Sequence, residues 1–300
     1  MTATIEIRRL AETDVPDATR LSTQAGWNQT GEDWRRLLAL APEGCFGGWI
    51  GGELVATGTV VTYGGAVSWI GMILVAKRHR RNGYGSEMFE HVRGLAERRG
   101  TAVGLDATDA GREVYRREGF VDVTPIERWS GRLGAPGNTP LEDATACSVD
   151  MTTARADEID AICSLDRRAC GVDRGDLLGH LLGTEGVTGF VARDEGEERS
   201  EIRGYALVRP GREHRHVGPV VASSRAATAA MLTAIAETVG SVDGAELDVL
   251  IDLLRTERDG DLLERAGLVR QRRLTRMASR EPTPLLVGDD VVAGAGFELG

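Results

Sequence analysis

Strand and helix signatures alternate along this chain, and they predict an α/β fold built as two successive domains. Three observations carry that expectation. Short apolar runs are separated by amphipathic helical stretches. Glycine and proline crowd between Leu133 and Ala146, where periodicity vanishes. The order of elements before that break then recurs after it. With 300 residues the chain can bury two cores, and the domains are expected at 1–137 and 138–300, divided near residue 138.

In the first half, 6–10 reads as a strand, and Thr13-Asp14 opens a helix through Ala25 with Asp17 and Thr19 on its polar side. Gly26-Trp27-Asn28-Gln29-Thr30 is a loop, and Glu32-Asp33-Trp34 begins a second helix that ends near Ala41-Pro42. Strands 46–50 and 53–62 form a hairpin through Gly51-Gly52, a dipeptide suited to two-residue turns. A strand at 67–75, a helix at about 85–97, a strand at 102–108, a further helix and a strand at 120–128 complete the unit. The second half repeats this order. Its strands are expected at 148–152, 189–193, 202–209, 215–221, 246–253 and 269–277, and its helices at 157–170, 174–183, 225–239 and 260–266.

The chemistry concentrates in Arg80-Arg81-Asn82-Gly83-Tyr84-Gly85-Ser86, between the apolar strand and the helix that follows it. A glycine-rich turn entering a helix presents unpaired backbone N–H groups and the positive end of the helix dipole, an arrangement that holds phosphate or pyrophosphate. Gly83 and Gly85 admit an anion to the backbone, and Arg80 and Arg81 add charge. The turn is not a Walker loop, because no Gly-Lys-Ser/Thr follows. The dinucleotide fingerprint is excluded because its third glycine and acidic ribose partner are missing.

The order Arg80-x-x-Gly83-x-Gly85, helix, strand, then Tyr115-Arg-Arg-Glu-Gly119-Phe120 resembles the GNAT family of acyl-CoA N-acyltransferases over residues 5 to 132. The resemblance implies two tandem GNAT-like α/β (α+β) domains, each with a central mixed, mostly antiparallel sheet flanked by helices. It implies transfer of an acetyl or short acyl group from acetyl-CoA to a primary amine of a small-molecule or peptide acceptor, directly in a ternary complex. Ile73, Leu74 and Val75 would hold the pantetheine arm, and Arg80, Arg81, Asn82, Gly83, Tyr84, Gly85 and Ser86 would hold the pyrophosphate. Tyr115 would be the general acid, or else a core aromatic whose hydroxyl caps a backbone group. Thr108 stands where the family often has a cofactor-binding Asn. No carboxylate lies between Ser68 and Val75, where many relatives carry a base. Asp106 is a candidate for the acceptor cleft and at least equally for capping the following helix or anchoring a loop. Trp27 and Asn28 sit in the loop that shapes the acceptor pocket, where Trp27 packs on the acceptor or plugs the core.

The second half lacks both signatures. Val221-Ala-Ser-Ser-Arg225 has no glycine to admit a pyrophosphate, and Leu263 stands four residues before Gly267, where the first half has Tyr115. A leucine cannot donate a proton. This half is expected to be a structural or substrate-shaping partner.

Composition narrows the alternatives. A net charge of −10 argues against a nucleic-acid-binding surface. Lys77 is the sole lysine, and the abundance of Asp and Glu reads as solvent adaptation of the surface or as a funnel steering cationic amines. Cys45, Cys147, Cys163 and Cys170 lack metal-ligand spacing, and His214 and His216 lack a third partner, so no metal is expected. No run approaches a membrane span, and no signal-peptide core precedes the first strand, which points to a cytoplasmic protein; its oligomeric state is left open between monomer and homodimer. A CoA-binding sensor or scaffold without turnover is the alternative to an enzyme.

Overall fold

The structure, a computed structural model, describes residues 4–134, 149–194, 201–240, 248–279 and 285–300. The boundary expected near 138 and Cys147 lie outside these residues. By packing, the chain forms two compact units. One comprises Met1–Asp106, Ala278–Thr283 and Phe297–Gly300, and the other Ala107–Met277 and Pro284–Gly296. The packed units therefore differ from the halves of the sequence: the segment after Asp106 joins the second unit, and the last four residues join the first.

The first unit contains β1 (Glu6–Arg9), α1 (Val15–Gln24), α2 (Gly31–Leu40), β2 (Cys45–Ile50), β3 (Glu53–Tyr63), β4 (Val67–Val75), α3 (Tyr84–Arg98) and most of β5 (Ala102–Ala107). Its strands run in the order β1-β2-β3-β4-β5 and are antiparallel except for the parallel β4–β5 pair. Proline in the first turn of α1 suits a position whose N–H has no helical partner, and Val15, Ala18, Leu21 and Ser22 form its buried stripe. A reciprocal cap starts α2: the Thr30 N–H donates to Asp33 Oδ2 at 2.8 Å, and the Asp33 N–H donates to Thr30 Oγ1 at 3.4 Å. The α2 side chains Trp34 and Leu37 are fully buried, as are Trp69 on β4 and Met88 and Val92 on α3.

The second unit opens with α4 (Asp109–Arg117) and β6 (Val121–Arg132). It continues through β7 (Val149–Thr153), α5 (Ile159–Cys170), α6 (Gly175–Leu182), β8 (Thr188–Asp194), β9 (Ile202–Arg209) and β10 (Arg215–Ala222). It closes with α7 (Arg225–Gly240), β11 (Asp248–Leu253), α8 (Thr256–Arg265), β12 (Leu268–Ala278) and β13 (Val291–Ala293). The strand order is β12-β6-β11-β13-β10-β9-β8-β7. β6 pairs antiparallel with β11 from Glu127↔Leu253 to Arg132↔Asp248. The buried Arg128 guanidinium adds a two-pronged bond to Asp252 across that ladder, at 2.7 and 2.8 Å. β13 was not expected from the sequence, since three apolar residues are too short a run to read as a strand.

Two charge clusters hold the second unit. Asp166 is fully buried and accepts from Arg174 Nε at 3.0 Å and Nη2 at 2.7 Å, with the Tyr205 hydroxyl and the Cys170 thiol as further donors. Burial pushes the Asp166 carboxyl up, but the Arg174 charge and these donors outweigh it and hold the group below the usual range. At the surface, Asp122 at the start of β6 takes both Arg112 and Arg116 of α4. The Arg112 hydrogen bond, opposed by slight burial and aided by Arg116, holds the Asp122 carboxyl at about 2.

Removing Arg174 strands a buried carboxylate. Arg174→Met should lower unfolding stability by about 3–5 kcal/mol, measured by urea denaturation. A loss below about 1 kcal/mol would contradict the assignment of this cluster as structural. For Asp122 the folded value of about 2 lies below the unfolded value of about 3.9, so its contribution is complete above about pH 4 and is lost as pH falls through about 2. This partly exposed group contributes at most about 1 kcal/mol. The stability gap between the wild type and Asp122→Asn should close over that window, read from urea midpoints at stepped pH.

Candidate functional site

In the first unit, β4 and β5 hold together for only three residue pairs, Val67↔Ala102, Ser68↔Val103 and Trp69↔Gly104. From Ile70 to Val75, β4 pairs only with β3 among the described residues, which leaves its β5-side edge without a strand. An irregularity marks the departure. The β3–β4 register shifts between Thr57 and Thr59, Met72 takes a positive φ of 51°, and Thr57 Oγ1 donates to the Met72 carbonyl at 2.8 Å. Ile73 and Val75 are half-buried and Leu74 is buried. Their backbone lies along the diverging stretch.

The turn after β4 leads straight into α3, which begins at Tyr84, one residue before the expected start. Gly83 is the residue before the helix, with a φ of +88° and no side-chain cap on the first N–H groups. The turn is stabilised by two of its own side chains. Arg80 Nε donates to the Val75 carbonyl at 3.1 Å, and Asn82 Nδ2 donates to the His79 carbonyl at 3.1 Å. Arg81 is exposed at a φ of +64°, Ser86 is exposed, and the Tyr84 ring is buried, so Tyr84 offers the turn its backbone alone. A Cβ built on Gly83 meets no atom within 4 Å, whereas one on Gly85 would touch Val75 Cγ2 at 3.5 Å. The space at Gly83 is open, and the exposed side chains of Lys77, Arg80 and Arg81 belong to the segment that leads to the positive end of the helix dipole.

Tyr115 lies on α4, in the second unit, with its ring 6.1 Å from that of Phe120. By surface area the side chain is half-buried, yet its hydroxyl is crowded enough that burial pushes it up to about 12. It is a phenol throughout the physiological range. Thr108 is the cap of α4, its Oγ1 accepting from the Gly111 N–H at 3.3 Å. The capping role weighed for Asp106 thus belongs to Thr108, and Asp106 is half-buried at the end of β5 in the first unit.

Trp27 and Asn28 are both half-buried, and the Trp27 N–H continues the α1 end by donating to the Ser22 carbonyl at 3.0 Å. Sequence reasoning missed the next residue. Gln29 is buried, and its Nε2 donates to Glu298 Oε2 at 2.7 Å, bringing the chain end into the first unit. That tail is anchored by the Tyr63 hydroxyl donating to the Leu299 carbonyl at 2.7 Å and Trp69 Nε1 donating to the Phe297 carbonyl at 3.0 Å. No local pattern in Phe297-Glu298-Leu299-Gly300 signals this placement, since the partners lie more than 200 residues away in sequence.

The second unit repeats the strand divergence and then closes it. β10 and β11 run parallel through Arg215↔Val249, His216↔Leu250 and Val217↔Ile251. Beyond that point β13 enters between them, pairing antiparallel with Val220 and Val221 of β10 and with Leu253 of β11. The following helix is capped by its own chain, with the Ala227 N–H donating to Ser224 Oγ at 3.1 Å, and Leu263 is buried. Both features that stay open in the first unit are filled here.

Cys45 and Cys170 are buried thiols pushed up to about 12 by burial. Among the described residues no group of three or more His, Cys, Asp or Glu is placed to hold a metal ion, and no helix is long and apolar enough to cross a membrane.

A model of the acetyltransferase (GNAT) family matches residues 7–120, and an acetyltransferase (GNAT) domain model matches residues 162–289. The chain is 27% identical over 233 residues to YitH of Bacillus subtilis (strain 168), an uncharacterized N-acetyltransferase, covering 77% of this chain and 78% of that one. It is 26% identical over 200 residues to the holothin acyltransferase of Pseudoalteromonas sp. (strain SANK 73390), covering 67% of this chain and 63% of that protein. Among solved structures, a candidate acetyltransferase from Pyrococcus horikoshii superposes with a TM-score of 0.76 at 20% identity, over 99% of this chain and 96% of that one. A tandem GNAT protein from the clavulanic acid biosynthesis pathway superposes with a TM-score of 0.67 at 16% identity, over 93% and 100%. With a GNAT domain matched in each half, on a strand arrangement shared with tandem GNAT structures, the chain belongs to the GNAT acetyltransferase family.

Proposed function

We propose that the protein transfers an acetyl or short acyl group from acyl-CoA to a primary amine, by direct attack in a ternary complex, with the first half of the chain supplying the cofactor site. One observation carries this reading. The first unit leaves open both its strand divergence and its helix N-terminus, whereas the second unit fills one with β13 and caps the other with Ser224. An open strand edge offers hydrogen bonds to an extended amide chain such as pantetheine, and an uncapped helix end favours a diphosphate. The relatives named as acyltransferases support the reaction class.

In this reading Ile73, Leu74 and Val75 present backbone groups to the pantetheine arm, and residues 80–86 present N–H groups to the pyrophosphate. A backbone N–H near the Met72 irregularity receives the oxyanion that forms on the thioester oxygen, a role worth ~3–4 kcal/mol per donor. The Tyr115 hydroxyl, pushed up to about 12, is a weak acid. It hydrogen-bonds the departing thiolate and shares its proton late in the step. A thiolate is a good leaving group, so this assistance is modest. The second reading, a CoA sensor without turnover, is favoured by the lack of any carboxylate along β4.

Tyr115→Phe should lower thiol release from acetyl-CoA across a primary-amine panel by ~10²-fold, with acetyl-CoA affinity by calorimetry unchanged. Calorimetric binding with no thiol release in the wild type would favour the sensor, and no heat with CoA would end both readings. The two glycines of the turn separate fold from ligand. Gly83→Ala should destabilise the protein by roughly 1–2 kcal/mol through its left-handed backbone alone. Gly85→Ala should leave the fold unharmed, alanine favouring helix by about 1 kcal/mol, while weakening CoA binding at least ~10-fold. Equal CoA affinity in Gly85→Ala would remove the pyrophosphate from this turn.

A further inference from the structure

The acyl-transfer reading asks one backbone N–H beside Met72 to receive the oxyanion, and the backbone there is irregular. Thr57 pairs with Leu74 and Thr59 with Gly71, so the single residue Gly58 faces both Met72 and Ile73. Met72 holds a φ of 51°. A residue with a side chain adopts that conformation at a cost and keeps it only where its surroundings impose it. Two sets of contacts impose it here.

The first set comes from β3. Thr57 is fully buried, and its Oγ1 donates to the Met72 carbonyl at 2.8 Å. A trans peptide points its C=O and its N–H in opposite directions. With the Met72 carbonyl drawn toward Thr57, the Ile73 N–H is turned away from β3, to the side of β4 that β5 has left. The second set comes from residues 297–299. Trp69 Nε1 donates to the Phe297 carbonyl at 3.0 Å, the Tyr63 hydroxyl to the Leu299 carbonyl at 2.7 Å, and Gln29 Nε2 to Glu298 Oε2 at 2.7 Å. Consecutive residues are thus pinned from β4, from β3 and from the loop before α2, and the bonds from Trp69 and Tyr63 take main-chain atoms. The middle residue rests on Gly71, the neighbour of Met72. A Cβ on Gly71 would stand 2.8 Å from Glu298 Cα and 3.1 Å from its carbonyl oxygen, a contact that no exchange of the Glu298 side chain relieves. The irregular turn is therefore gripped at its carbonyl by a hydroxyl and at its preceding residue by a second backbone.

We propose that Thr57 and the backbone of residues 297–299 are positioning residues for acyl transfer: they clamp the Met72 turn from two sides and hold the Ile73 N–H toward the thioester oxygen. The inference rests on the acyl-transfer reading and names what orients its oxyanion donor. As the lone pair of R–NH2 forms the C–N bond, the carbonyl π pair moves onto oxygen, where the Ile73 N–H donates a hydrogen bond and keeps its proton. The C=O then re-forms, the C–S bond breaks with its electron pair on sulfur, and the proton lost by nitrogen ends on that sulfur. A donor fixed before the reaction gives more than one that must first be oriented, and a misplacement of about 1 Å costs ~10²-fold in rate.

The test uses the full chain and three variants. Thr57→Val removes the hydroxyl that holds the Met72 carbonyl, Thr57→Ser keeps it, and Tyr63→Phe releases the Leu299 carbonyl without touching β4. Isotope-edited infrared spectroscopy reads the thioester carbonyl of bound, labelled acetyl-CoA, and calorimetry reads its affinity. In the wild type the bound carbonyl should absorb at lower frequency than in free acetyl-CoA. Thr57→Val should return it toward the free value and lower kcat for thiol release with butylamine by ~10²-fold, with acetyl-CoA affinity held within ~3-fold. Tyr63→Phe should do the same more mildly, at ~10-fold in kcat, and Thr57→Ser should keep the wild-type frequency and stay within ~3-fold in kcat. A wild-type frequency in Thr57→Val or in Tyr63→Phe overturns the positioning role of that side of the clamp. Loss of kcat and acetyl-CoA affinity in equal measure marks general loosening and overturns it as well, as does a Thr57→Ser variant no better than Thr57→Val. Where Thr57→Val fails to fold, Thr57→Ser against Tyr63→Phe still decides, since only the second should shift the carbonyl. Acetyl-CoA that binds the wild type at its free frequency overturns this inference alone, with thiol release still judging the acyl-transfer reading. A wild type that does not bind CoA defeats that reading and the clamp with it.

Discussion

Everything that positions the candidate site follows from one constraint, the divergence of two parallel strands after three residue pairs. Backbone N–H and C=O groups at such a divergence need partners. The β3–β4 register shift at Met72 turns the end of β4 away from β5, and the chain then enters α3 without a side-chain cap. The unpaired strand edge and the uncapped helix end therefore arise from consecutive residues, Ile70 to Tyr84. A ligand that is extended and amide-bearing at one end and anionic at the other answers both needs.

The second unit shows what the same divergence becomes when the protein satisfies it internally. β13 supplies the missing strand: the Leu254 N–H donates to the Val292 carbonyl at 2.8 Å on one side, and the Ala222 N–H donates to the Asp290 carbonyl at 2.9 Å on the other. Ser224 supplies the missing cap, and Arg225 is engaged by Asp261 instead of facing an anion. A serine stands at this helix entrance where the first unit has Gly83, and its hydroxyl occupies an N–H of the first turn. The loss of signature residues and the filling of the slot are two sides of one structural solution.

The elements were legible in the sequence because their patterns are local. The hairpin at Gly51-Gly52, the strand at Val67–Val75 and the helix after Gly83 each follow from short-range periodicity and turn chemistry, and each stands within a residue or two of its expected place. Thr108 was expected in the cofactor site, and what the structure shows of it is a capping bond to Gly111 that depends on backbone geometry. What stayed hidden depends on distant partners. β13 is three residues long and is a strand only because β10 and β11 part around it. The pairing of β6 with β11, and so the placement of Tyr115 on a segment packed with the second unit, is invisible to periodicity. Gln29 and Glu298 are separated by 269 positions, and neither carries a motif.

The final residues extend this logic. Ordering a segment that is neither helix nor strand costs conformational entropy that side-chain anchors must offset. Here Val291 to Ala293 complete a sheet, and Phe297 to Leu299 are held by a tyrosine hydroxyl, an indole N–H and a glutamine amide. Gly71 has given up its side chain so that the backbone of Glu298 can rest on β4. Packing alone would have been served by an apolar residue at 298. Burying a carboxylate there carries a desolvation cost that its polar partners, the Gln29 amide among them, must offset. Three hydrogen bonds and a glycine thus fix residues 297–299 against β3, β4 and the loop before α2, and the backbone contact at Gly71 sets their register.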